Sequence, residues 1–295
     1  MTDLYFRIID LFRGTYTGMI VYNFFALAAL VAPYFVVSVF INALLQRYFI
    51  GKRLFPFSKN ETVAIFIAAL IGLLSPLPTY IAVPLGISLL ATGLPFSAVA
   101  AFMVSSPLMN PGIFYLTWAQ LGADIALARV ISAFALSVGA GFLARFFMRK
   151  SLLPSFAAPE PKDARPLWNE FKKSLFFLGR YFVMALLLGA AVKALVPAEV
   201  ISRILGARAS TSLIVAVAMG VPFYSCGGAA IPLVQVLSEM GMNKGAVLAF
   251  FIAGPSTKLE TMYVYKSILG FKIFILYFVF MIAGAFLGGF LLLRL

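Results

Sequence analysis

Long apolar stretches alternate with short polar, mostly basic ones, and the apolar stretches are interrupted in a regular way. Met19–Leu45 runs for 27 residues without a charge, more than the ~20 a helix needs to cross a hydrocarbon core. Thr62–Leu77 is a second apolar run, broken at Pro76 and Pro78, and Pro84–Thr92 follows it. That segment is too short to cross alone as a helix. Ser97–Leu121 is long enough to span but carries proline within it, and Ile125–Phe147 is a further span. The same parts then recur: Ser174–Val196, Thr211–Phe223 broken at Gly220 and Pro222, the short Pro232–Met240, Gly245–Leu269 with an internal proline, and Phe271–Leu293. Nowhere does apolar–polar alternation persist over the ~10 residues a barrel strand requires. The pattern predicts an all-α polytopic membrane protein with broken or re-entrant helices in each half.

The recurrence extends to residue identity. Ala82–Pro107 and Ala230–Pro255 both read A-(V/I)-P-L-x3-L-x3-G-x4-A-V-x-A-F-x4-P, at a spacing of 148. Gly72 meets Gly220 in that register, Leu121-Gly122 meets Leu269-Gly270, and Gly141-Phe142-Leu143 meets Gly289-Phe290-Leu291. Tyr34-Phe35-Val36 meets Tyr181-Phe182-Val183 one residue out of step. Two long repeats, each about half of the chain, are the mark of a duplicated transporter architecture rather than a solenoid. The expected organisation is a first transmembrane repeat over 1–150, a cytoplasmic connector over 151–172 and a second repeat over 173–295.

Composition fits this class: 63% hydrophobic and 11% charged, with mean hydropathy +1.03; soluble domains carry about 25% charged residues. The net charge of +13 comes from loops, with Arg47, Lys52, Arg53 and Lys59 in one and Arg149, Lys150, Lys162, Arg165, Lys172 and Lys173 in another. Short basic loops stay in the cytoplasm and meet anionic lipid headgroups, so no nucleic-acid partner is expected. With both loops on one side, each half crosses an odd number of times, and the halves form an inverted repeat with both termini outside. One kinked crossing over Thr62–Thr92 would instead make them parallel. The first apolar run is too long for a cleavable signal. With one cysteine and no histidine, neither a metal site nor a cofactor is expected. Without a Walker loop, nucleophile elbow or His-based triad, the chain is not expected to be an enzyme.

Candidate chemistry lies at the breaks, where unpaired backbone groups are tolerated only against protein or a water-filled cavity. The second-half break contains Tyr224, Ser225, Cys226, Gly227 and Gly228, with glycines that permit close approach and a soft sulfur beside a hydroxyl. Its first-half counterpart contains Thr79 and Tyr80. The later breaks hold Ser106, Pro107, Asn110 and Pro111, then Pro255, Ser256, Thr257, Lys258 and Glu260. A charge at the depth of Lys258 marks a functional site by default. The bland alternatives are a small buried hydrophobe for Cys226, a proline kink capped by hydroxyls at 255–257, and a carboxylate partner or snorkelling for Lys258. Arg180 is a further buried-charge candidate, whereas Glu239 and Lys244 mark a loop.

These break motifs resemble the ArsP-type predicted permeases, a family that includes efflux permeases for trivalent organoarsenicals. The stretches that carry the resemblance are Ser105–Pro111, Tyr224–Leu233 and Gly245–Phe250 continuing into Ala253–Thr257. It implies a multi-pass permease of the prokaryotic inner membrane, usually drawn with eight spans. The chain departs from many relatives where Pro78–Ile81 replaces a Cys-Ser-Cys-Gly type motif, and where Lys258 stands in place of Asn. The leading expectation is a secondary transporter or exporter of a small thiophilic or sulfur-containing solute, trivalent organoarsenicals included, with its site at the repeat interface. A small-solute or anion channel and a non-transport assembly partner are the alternatives; proton or ion coupling and homo-oligomer formation stay open.

Overall fold

The computed structural model describes residues 15–49, 60–75, 77, 82, 85–86, 89–90, 94–147, 166–207, 210–221, 228–257 and 259–294. The first part of the chain forms α1 (Tyr16–Phe49), α2 (Glu61–Leu74), α3 (Phe96–Leu108), α4 (Pro111–Leu121) and α5 (Ala123–Phe147). The second forms α6 (Leu167–Leu195), α7 (Ala198–Leu205), α8 (Ser210–Gly220), α9 (Ile231–Glu239), α10 (Lys244–Thr257) and α11 (Leu259–Val264). A π-helical turn (Tyr265–Leu269) and α12 (Phe271–Arg294) complete it. The chain is an all-α, multi-pass membrane protein. By length and composition α1, α5, α6 and α12 can each cross a membrane, and the pairs α3–α4 and α7–α8 bend by 40° and 109°. The expected connector 151–172 lies largely outside the described residues, and α6 begins within it.

Local chemistry sets the helix ends. Asn60 caps α2, its side chain accepting from the Thr62 N–H at 3.0 Å, and α2 stops at Ser75 because Pro76 disfavours helical backbone before it. Asn110 and Pro111 start α4 in the same manner. Gly122 (φ 92) and Gly270 (φ 86) take the left-handed backbone that turns the chain into α5 and α12.

The starts of α2 and α3 lie side by side. Ser97 donates to Glu61 at 2.6 Å, and Glu61 pairs with Arg145 at the end of α5 at 3.4 Å. At the far ends of α2 and α3, a Cβ on Gly72 would overlap Ser105. The two helices therefore run parallel. The second set behaves likewise: Asn243, ahead of α10, donates to Ser212 of α8 at 3.0 Å, while Gly220 abuts Phe250 and Ala253. This set starts at the other end of α5, where Lys244 is bonded to Asp124. Two apolar clusters hold these elements together. One joins α2 and α3 to Leu248, Ala253, Tyr265, Tyr277 and Met281, so it draws on both parts of the chain.

Glycines set the helix spacing, since association in lipid relies on close packing rather than hydrophobic transfer. Replacing Gly72 with Val is expected to cost about 1–3 kcal/mol by overpacking. Gly179→Ala, at a site with nothing within 4 Å, should be neutral or better; thermal unfolding of the two purified variants provides the check.

Arg180, expected as a buried charge, is exposed, and its guanidinium lies over the rings of Phe177 and Tyr181. α6 turns that face away from its packing partners. Glu239 and Lys244 do flank a turn, and Glu239 pairs with Lys193 of α6 at 2.9 Å.

Candidate functional site

Both prolyl breaks lie inside the protein. Pro107 bends the end of α3, and Ser106, 1% exposed, donates to the Leu77 carbonyl at 2.8 Å. That bond ties the α3 break to the segment leaving α2. Asn110 is spent on capping: its Oδ1 accepts the Ile113 N–H at 2.9 Å. In α10, Pro255 lacks the N–H that would reach the carbonyl four residues back. Ser256 and Thr257, both buried, bond back to Ile252 and Ala253 at 2.6 and 2.8 Å, and Thr261 donates to the Pro255 carbonyl at 3.3 Å. These hydroxyls bond where the proline leaves the helix ladder incomplete, and each keeps lone pairs as an acceptor.

Gly228, which ends the second-half break, lies against one turn of α4. A Cβ built at Gly228 would lie 3.6 Å from Ile113 and 3.8 Å from Leu116, so this glycine abuts the helical turn that Asn110 caps. Thr79, Tyr80, Tyr224, Ser225, Cys226, Gly227 and Lys258 lie outside the described residues, as does the side chain of Glu260. Pro255, Ser256 and Thr257 sit on α10, beneath a stacked pair of tyrosines. Tyr277 donates to the Ser256 carbonyl at 3.2 Å, and its ring lies 4.0 Å from that of Tyr265. The Ser75 and Tyr265 hydroxyls are buried without a hydrogen-bond partner among the described residues. Tyr265 opens a π-helical turn, a deviation found often at functional sites.

Sequence reasoning passed over Arg129. It lies within α5, 3% exposed, donates to Thr117 Oγ1 at 2.6 Å and stacks 3.9 Å from the centre of the Phe251 ring. The available signal was a lone arginine well inside an apolar span, which marks an expensive and purposeful charge. Among the described residues no cluster of three or more His, Cys, Asp or Glu could hold a metal ion.

The family profile described as "Predicted permease" (ArsP_1) matches residues 16–293. The chain belongs to this permease family. As an ArsP-type permease it is a multi-pass protein of the prokaryotic cell membrane and a transport-class protein rather than an enzyme. UPF0718 protein YcgR of Bacillus subtilis is 22% identical over 78% of this chain and 82% of that protein. A Streptococcus mutans protein bearing the name of a two-component membrane permease complex subunit is 22% identical over 83% of each chain. UPF0718 protein MJ0584 of Methanocaldococcus jannaschii is 27% identical over 30% of this chain, and the match spans 24% of that protein. No solved structure matches.

Proposed function

We propose that this permease is a secondary transporter of a small thiophilic or sulfur-containing solute, built as an inverted repeat with its site where the two breaks meet α4. The observation that carries it is that equivalent residues meet each other. Phe35 stacks on Phe182 at 4.0 Å, and Gly284 packs against Leu136, its own counterpart at a spacing of 148. Contacts such as Gly139–Phe280 and Gly288–Ser132 make α5 and α12 antiparallel. A two-fold axis between antiparallel spanning helices would lie in the membrane plane, so this pairing supports the inverted reading.

Further support comes from contacts repeated in the same register. Gly141 would meet Ile65, Ser97 and Ala101, while Gly289 would meet Leu213, Gly245 and Ala249. The starts of α3 and α10 obey that spacing too, as do Gly122 and Gly270. Two like halves can exchange conformations and so expose one site to either side in turn.

Purified protein in proteoliposomes should show saturable flux for a member of a panel containing methylarsonous acid, small thiols and sulfur oxyanions. Cys226→Ser should reduce flux of a thiophilic solute far more than that of an oxyanion, because sulfur is the softer ligand. Flux that rises linearly without saturating would make the protein a channel; no flux for any solute would end the transport reading. A second reading, a permease subunit that needs a partner, rests on the name of the Streptococcus relative; silence of the isolated chain with flux restored by a co-expressed partner would establish it.

A further inference from the structure

Arg129 is the one buried charged side chain among the described residues. Six residues separate it from the start of α5, ~9 Å along the helix axis. The exposed Lys244–Asp124 pair marks that end of the helix as aqueous. Among the contacts of Arg129 are Thr117 on α4 and the Phe251 ring on α10, one from each side of the repeat interface. Thr117 also follows Leu116, against which Gly228 of the second-half break packs. The guanidinium therefore lies between one aqueous end of the bundle and the level of the break.

The same cluster is built a second time without the cation. At the spacing of 148, Arg129 corresponds to Tyr277, Thr117 to Tyr265 and Phe251 to Met103. Those three residues also lie together, lining an apolar cavity of about 50 Å³. There the tyrosine rings stack, and Tyr277 bonds to a backbone carbonyl. The fold thus closes this junction with neutral side chains in one copy, so packing alone does not call for a charge in the other.

We infer that Arg129 is the anion-recognising residue of the translocation site, and that the solute is a compact oxyanion. Guanidinium suits such a solute because its planar fork of N–H donors matches two oxygens at once. Thr117 and the Phe251 ring hold the fork in one orientation, which limits what is lost when the anion arrives. A neutral thiophile makes no comparable use of a fixed positive charge. The inference rests on the transport reading above and narrows its substrate class.

The test uses the full chain in proteoliposomes with thiosulfate and sulfite as anionic probes and methylarsonous acid as the neutral one. Both anions should show saturable flux and dose-dependent thermal stabilisation. Arg129→Gln should lower anion flux at least tenfold and abolish that stabilisation, with Arg129→Lys recovering part of both. If Arg129→Gln does not fold, Thr117→Val keeps the charge and removes its orienting bond; it should raise KM for the anion and leave kcat near that of the parent. Anion flux unchanged in Arg129→Gln, or anion KM unchanged in Thr117→Val, overturns the inference. Saturable flux of the neutral probe without anion flux also overturns it while leaving transport standing. No flux for any probe removes the transport reading itself, and the inference falls with it.

Discussion

Bridging positions 124 and 244 is expected to stop transport. The Lys244–Asp124 pair ties the start of α10 to the start of α5, and so joins the two halves at one end of the bundle. If the halves rock against one another to expose the site alternately, this contact must open once per cycle. Asp124→Cys with Lys244→Cys, bridged by a bis-methanethiosulfonate reagent that joins each cysteine through a disulfide with loss of methanesulfinate, should lower flux at least tenfold, and reduction of the bridge should restore it. The single-cysteine variants treated in parallel account for reaction at Cys226. The ion pair itself is exposed, with 67% and 53% of its side chains accessible, and such pairs contribute at most about 1 kcal/mol. Asp124→Asn should therefore leave flux within about twofold of the parent. Full flux through the bridged protein would mean that this end never opens, against alternating access.

Lys258→Met is expected to abolish binding of an anionic solute, with Lys258→Arg keeping part of it. Lys258 lies outside the described residues; in sequence it follows α10 directly, inside the apolar run Gly245–Leu269, and is therefore expected deep in a span. A cation at that depth costs about 2.5–3.5 kcal/mol on insertion scales and must meet an anion, a carboxylate or water. If its partner is a protein carboxylate such as Glu260, Lys258→Met should instead destabilise the fold, and Lys258→Met/Glu260→Gln should recover it. Stability and solute binding measured on the single and double variants separate the two outcomes by their coupling. Unchanged binding and stability in Lys258→Met would place the residue at a wetted helix end and remove it from the site.

Several elements could be read with little error because their causes are local. Pro232–Met240 was expected as a short segment, and the helix is Ile231–Glu239. Thr62–Leu77 was expected and Glu61–Leu74 is found; the difference at the end arises from Pro76, which pushes Ser75 out of helical backbone. Ser97–Leu121 was expected as one span with a proline in it, but it is two helices bent by 40°. There Pro107, Asn110 and Pro111 act together: one weakens the first helix, and the other two start the next. α7 was not expected at all. Eight residues with Ile201 and Leu205 buried and Glu199 and Arg203 in its polar turns are too short to stand out against the apolar runs on either side.

Span length, proline and glycine punctuation and the recurrence at 148 residues were determined by the sequence alone, since each depends on residue type and chain spacing. What becomes of a single charge in a span depended on tertiary structure. Arg145, Arg180 and Arg129 each stand in apolar helices. Arg145 ends α5 and pairs with half-buried Glu61; Arg180 lies on outward-facing rings of its own helix. Arg129 alone of the three is enclosed, because α4 and α10 close over that face of α5 and supply Thr117 and Phe251. A helix has several faces, and which one is covered is decided by neighbours far away in the chain.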